Sequence, residues 1–67
     1  MDAIKIGKKI ESLRKERRIT QEELGNAIGV TAMAVSYYEN GTRVPRDDTK
    51  IKIANYFCVP VHAIFFD

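Results

Sequence analysis

Cysteine, histidine and long apolar runs are all scarce in this sequence, and each shortage removes a class of protein. The one cysteine, Cys58, cannot form a disulfide within the chain, and its apolar neighbours predict a buried free thiol. The one histidine, His62, follows four residues later with Pro60 between them. Two soft ligands are too few for a structural zinc site, which takes four, so no metal is expected. Ser36 has no histidine near it in sequence, and no G-x-x-x-x-G-K-S/T loop is present to cradle a phosphate. Neither catalysis nor a cofactor or small-molecule ligand is expected. No run of ~18 apolar residues occurs, and the most apolar stretch, VPVHAIFF, is broken by Pro60 and His62. The opening MDAIKIGKKI has an acidic second residue and no apolar signal-peptide core. The expectation is a protein of the reducing cytoplasm that makes no membrane span.

What remains is a mildly basic globular chain. Its 67 residues have room for one domain, 1–67, because a chain this short buries only about 60% of the surface its unfolded form exposes. Hydrophobic residues make up 45% and charged ones 30%, which excludes a disordered tail. A net charge of +2 points only weakly to nucleic acid; the distribution says more. Seven of the 11 basic residues (Lys5, Lys8, Lys9, Arg14, Lys15, Arg17, Arg18) precede position 19, and Arg43 and Arg46 follow Asn40-Gly41. A solvated helix face would account for the first cluster equally well.

The apolar spacing is helical throughout. Ile6, Ile10 and Leu13 define a first helix over about 4–17 with its lysines outward. Thr20 with Glu23 three positions later forms a capping-box pattern, so a second helix begins at Gln21 and carries Leu24, Ala27 and Ile28. Gly29 supplies a residue able to turn the chain sharply. Thr31 is a candidate cap for a third helix, Ala32 to Glu39, which Asn40-Gly41 stops. A fourth helix, about 47–57, has Asp47 and Asp48 at its positive end and Ile51, Ala54 and Phe57 on one face. Pro60 opens a short fifth with Val61, Ile64 and Phe65. The fold class is all-α: five short helices, no repeat and no linker, around one core.

Two short helices joined by a glycine turn are the geometry in which one helix crosses a DNA backbone and the next lies in the major groove. That groove, about 12 Å wide, admits one helix and meets only its outward face. Val35 and Tyr38 are the natural inward anchors of the third helix, which leaves Ala32, Met33, Ser36 and Tyr37 facing out. An uncharged face carrying methionine and tyrosine suits a partner better than water.

The segment ITQEELGNAIGVTAMAVSYYENGTRVP, followed by KIANYFCVPVHAIF, resembles the lambda-repressor-like, Cro-type helix-turn-helix family over nearly the whole chain. T-Q-E-E-L, the G-V turn and Y-E-N-G-x-R-x-P carry the likeness. It implies a compact five-helix DNA-binding domain with helix-turn-helix at helices two and three. It also implies that Gln21 bonds a phosphate and supports the recognition helix. Thr31, Ala32, Met33, Ser36 and Tyr37 would then meet bases or flanking phosphates, and Asn40 and Arg43 would grip the backbone. Arg14 and Glu39 match a buried ion pair. Where the family usually has alanine this chain has Gly25, which stays small but loses about 1 kcal/mol of helix propensity. The usual long polar readers are absent, so the operator cannot be taken from the family.

Several residues keep a second reading. Thr31 is both a cap and a base contact, Asn40-Gly41 is also a helix stop, and a one-residue slip would turn Tyr37 into the core. The function expected is sequence-specific binding of double-stranded DNA by a transcriptional regulator, a repressor on a palindromic operator. The alternative is an antitoxin-like or other protein-interaction module, which commonly neutralises through an added segment; the sequence runs out directly after the fifth helix. RNA binding lacks an aromatic platform or GXXG loop. Because Lys and Arg are absent between Thr31 and Glu39, thymine methyl groups are expected under helix three instead of guanine edges. One unit covers few base pairs, so two copies are expected to pair, on or off DNA, through Val61, Ile64, Phe65 and Phe66. The competing reading has Phe65 and Phe66 capping the monomer core.

Overall fold

An aspartate starts the first helix. In the computed structural model, which describes residues 2–66, Asp2 accepts the Ile4 N–H at 2.8 Å and caps α1 (Ala3–Glu16). No glycine stops α1; Arg18 takes a left-handed φ of 56° and the Ile19 N–H donates back to the Arg14 carbonyl at 3.3 Å. α2 (Gln21–Ile28) opens on the expected capping box, with Glu23 N–H to Thr20 Oγ1 at 3.0 Å and Thr20 N–H to Glu23 Oε1 at 2.8 Å. Gly29 ends it at φ 78°, where a side chain would be strained. Thr31 Oγ1 then accepts the Ala34 N–H at 3.0 Å and caps α3 (Ala32–Glu39). α4 (Asp47–Phe57) and α5 (Val61–Phe65) complete the order. Each boundary lies within a residue of its sequence-based position, with side-chain caps opening α1, α2 and α3, and no strand occurs among the described residues.

The five helices converge on one core. Ile6 and Ile10 from α1, Leu24 and Ile28 from α2, Val35 and Tyr38 from α3, Ile53, Ala54 and Phe57 from α4, and Ile64 and Phe65 from α5 are all buried. Four expectations need correction. Ala27 is exposed, and Gly25 takes the buried place on α2 beside Leu24 and Ile28. Ile51 is exposed and Ile53 takes the inward place, because the face of α4 that meets the core is centred on Thr49, Ile53 and Phe57. Cys58 is exposed as well: it is the left-handed cap of α4 at φ 57°, a position that turns its side chain outward. Finally, Ile64 and Phe65, expected at a dimer interface, are 1% and 2% exposed within the single chain. Burial of two such side chains contributes roughly 1.5 to 3 kcal/mol each, enough to keep the short α5 docked. Only Phe66 and, in part, Val61 remain for a partner.

Two features of α1 fix its place. Gly7 lies directly against the C-terminal end of α3: a Cβ there would run into the carbonyl oxygens of Tyr38 and Glu39. At the other end Arg17 donates to the Tyr56 and Phe57 carbonyls at 3.4 and 3.1 Å, with its guanidinium over both rings. A cation thus sits on the negative end of α4. Among the described residues no helix is long and apolar enough to cross a membrane.

Candidate nucleic-acid interface

α2 and α3 are joined by Gly29, Val30 and Thr31 alone, and the turn is tight because Gly25 lacks a side chain. The Val30 N–H donates to the Gly25 carbonyl at 2.9 Å, and a Cβ at Gly25 would stand 2.6 Å from the Val30 oxygen. The glycine that costs helix propensity is thus what lets this turn close. α3 then divides cleanly. Ala34, Val35, Tyr38 and Glu39 point into the protein. On the other side Thr31, Met33 and Asn40 are exposed, Met33 by 64%, while Ala32, Ser36 and Tyr37 are half-buried. Tyr38, not Tyr37, is the core tyrosine, so the face expected from spacing is the face presented.

What holds α3 at this angle is a buried cluster of three side chains. Arg14 Nε and Nη2 donate to Glu39 Oε2 and Oε1 at 2.6 and 3.0 Å, a two-pronged pair with the side chains only 12% and 4% exposed. Arg14 Nη1 donates to the Ile19 carbonyl at 2.9 Å. Gln21 Nε2 gives Glu39 Oε1 a third hydrogen bond at 3.0 Å. Bonding to Glu39 holds the Arg14 guanidinium above its ordinary pKa, and burial only partly opposes this. α1, the start of α2 and the end of α3 therefore meet at one carboxylate. Arg14 and Arg17 are both engaged within the chain, so the basic run near the N-terminus offers fewer free charges than its count suggests.

The loop after α3 folds back onto it. Asn40 Oδ1 accepts the Thr42 N–H at 2.9 Å, and the Tyr37 carbonyl accepts the N–H groups of Thr42 and Arg43 at 3.0 and 3.2 Å. This sets the exposed Arg43 over the Tyr37 ring, 5.0 Å from its centroid. Asn40, Arg43 and the α3 face thus lie on one side of the molecule. Four contributors escaped the sequence reading: Gly7, the Gln21–Glu39 bond, Arg17 and the stacking of Arg43. A glycine within a helical pattern was the one visible trace of the first; the Gln21 and Arg17 contacts join residues far apart in sequence, and that of Arg43 depends on how the loop after α3 folds back.

A short helix presented by a second across a three-residue turn, braced by a buried arginine–glutamate pair, defines a helix-turn-helix protein of the lambda-repressor-like class. The chain belongs to the helix-turn-helix family, whose model matches residues 10–63. It is 41% identical over 59 residues to the cryptic phage CTXphi transcriptional repressor RstR of Vibrio cholerae, a match covering 88% of this chain and 53% of that protein. It is 34% identical over 61 residues to the HTH-type transcriptional repressor RghR of Bacillus subtilis, covering 90% of this chain and 45% of that one. The chain spans about half the length of these curated relatives. In fold it matches the P22 c2 repressor protein, solved in complex with a synthetic operator, with a TM-score of 0.85 over 92% of this chain and 96% of that one at 24% identity.

Proposed function

We propose that the chain is the DNA-reading unit of a transcriptional repressor and binds a short operator in double-stranded DNA. α3 enters the major groove with Thr31, Ala32, Met33, Ser36 and Tyr37 toward the bases, while Gln21, Asn40 and Arg43 hold the backbone. The observation that carries this is the uncharged, outward face of α3, with Met33 64% exposed on a helix whose other side is locked by Glu39. Methionine and the Thr31 methyl group suit the C5-methyl of thymine, and no charged side chain between them reaches for guanine. The relatives named as repressors support the same reading. As a DNA-binding regulator it has no catalytic role, and it acts in the cytoplasm, where its operator lies.

Two copies read the operator as an inverted repeat, with half-site centres ~10 base pairs and recognition helices about 34 Å apart. Pairing uses Phe66, which is 56% exposed beside the docked α5. With so small an apolar surface, the pair forms chiefly on DNA.

Selection of bound duplexes from a random library tests the proposal. Enrichment of an inverted repeat with thymines in each half is expected, with binding that weakens steeply as salt rises. Tyr37→Ala should flatten the preference. A pool that stays random after repeated rounds, or equal competition by single strands, would refute it.

A further inference from the structure

Arg43 does two things that a simple phosphate clamp has no need to do. Its guanidinium lies over the face of Tyr37, 5.0 Å from the ring centroid and within the ~6 Å of a cation–π contact. Its backbone N–H also donates to the carbonyl of that same tyrosine at 3.2 Å, so the chain returns to the residue it stacks on. The return is braced. Asn40 Oδ1 holds the Thr42 N–H, and Gly41, at φ 81°, packs so closely on α1 that a Cβ would stand 2.9 Å from Ile4 Cγ1. Tyr37 itself is half-buried on the outward face of α3, where a helical aromatic side chain otherwise divides between two χ1 wells.

We propose that Arg43 is a positioning residue for Tyr37, so that the loop after α3 takes part in choosing the base sequence as well as in holding the backbone. This rests on the reading that the outward face of α3 enters the groove. The guanidinium carbon stands 5.0 Å from the ring centroid, and among the described residues the Arg43 side chain donates no hydrogen bond. One side chain can therefore hold the tyrosine ring through its charge and still offer N–H donors to a phosphate. Lysine supplies the same charge without the plane, which makes Arg43→Lys the variant that separates the two roles.

The test compares the parent, Arg43→Lys, Tyr37→Leu, Tyr37→Phe and the Arg43→Lys/Tyr37→Leu pair on a selected duplex and a scrambled duplex across a salt series. Arg43→Lys should leave the salt slope in place but lower the specific-to-scrambled ratio, by at most about two- to fivefold, since an ammonium keeps part of the cation–π attraction and loses the planar contact. In the Tyr37→Leu background the same change should leave the ratio unmoved. In the free protein the Arg43 δ-methylene protons should show an upfield ring-current shift that Tyr37→Phe preserves and Tyr37→Leu abolishes. The proposal is overturned if Arg43→Lys lowers both affinities by one factor, or lowers the ratio equally with and without the tyrosine ring. A parent that prefers no duplex overturns the groove reading and this one with it. A parent whose preference disappears with Tyr37→Leu but survives Arg43→Lys overturns the positioning role alone.

Discussion

Replacing Glu39 by leucine removes in one step the acceptor of three hydrogen bonds, two from Arg14 at 2.6 and 3.0 Å and one from Gln21 at 3.0 Å. With its side chain 12% exposed, Arg14 cannot recover its hydration in place, and the Gln21 amide loses its partner in the same pocket. Breaking such a pair costs about 3 to 5 kcal/mol. A chain of 67 residues has roughly 3 to 10 kcal/mol of total stability, so Glu39→Leu should leave an appreciable unfolded fraction at 25 °C. Arg14→Met should cost a similar amount, because it strands the carboxylate. The Arg14→Met/Glu39→Leu pair should lose only about 1 to 2 kcal/mol, since apolar side chains of similar volume fill the site and only the Gln21 amide and the Ile19 carbonyl go unpartnered. Urea unfolding followed by circular dichroism, run at 10–20 °C where such domains are most stable, gives all four free energies. The raised pKa of Arg14 means that its contribution is complete below the ordinary arginine range and fades only at strongly alkaline pH. The coupling should therefore show no loss from Arg14 near neutrality. Single-variant losses that add to within ~0.5 kcal/mol in the double variant would refute the cluster as the brace of α3.

Three further outcomes follow from the packing and the α3 face. Gly7→Ala should lower the melting temperature despite a helix-propensity gain of about 1 kcal/mol, because the new methyl meets the Tyr38 and Glu39 carbonyls; a rise in calorimetry would mean that α1 and α3 are less closely packed than described. Uracil in place of the half-site thymines should weaken binding in a gel-shift titration by removing only the methyl groups facing Met33 and Thr31, and unchanged affinity would sink the methyl reading. Phe66→Ser should reduce the two-copy complex on a palindromic duplex in sedimentation, whereas a parent that binds strictly one-to-one would exclude pairing through this segment.

Helix boundaries were legible because they are written locally: the Thr20–Glu23 box, the Thr31 cap and the Gly29 turn each act within four residues. The outward face of α3 was legible for the same reason, since Val35 and Tyr38 leave few ways to orient eight residues. What escaped was set by neighbours. Ile51 and Ile53 both fit a helical stripe on α4, and only the placement of α5 and α2 decides that Ile53 goes inside. Ile64 and Phe65 looked like surplus apolar area for one short helix, yet both are taken into the single core. The Arg14–Glu39 pair came from family resemblance; its third member, Gln21, and the backbone contact of Gly7 emerge only once α1, α2 and α3 are in place.

The exposed cap of α4 also makes the molecule easy to interrogate. Cys58 is the one thiol in the sequence, it faces solvent, and it sits on a braced turn whose Val59 N–H is tied to the Ala54 carbonyl at 3.0 Å. A maleimide dye or spin label added to the unaltered protein will attach at a single defined point, on the turn that leads into α5 and away from α3. On a palindromic duplex, two such labels would report whether two copies bind and, where they do, the distance between them. No engineered cysteine is needed, and the outward face of α3 stays untouched.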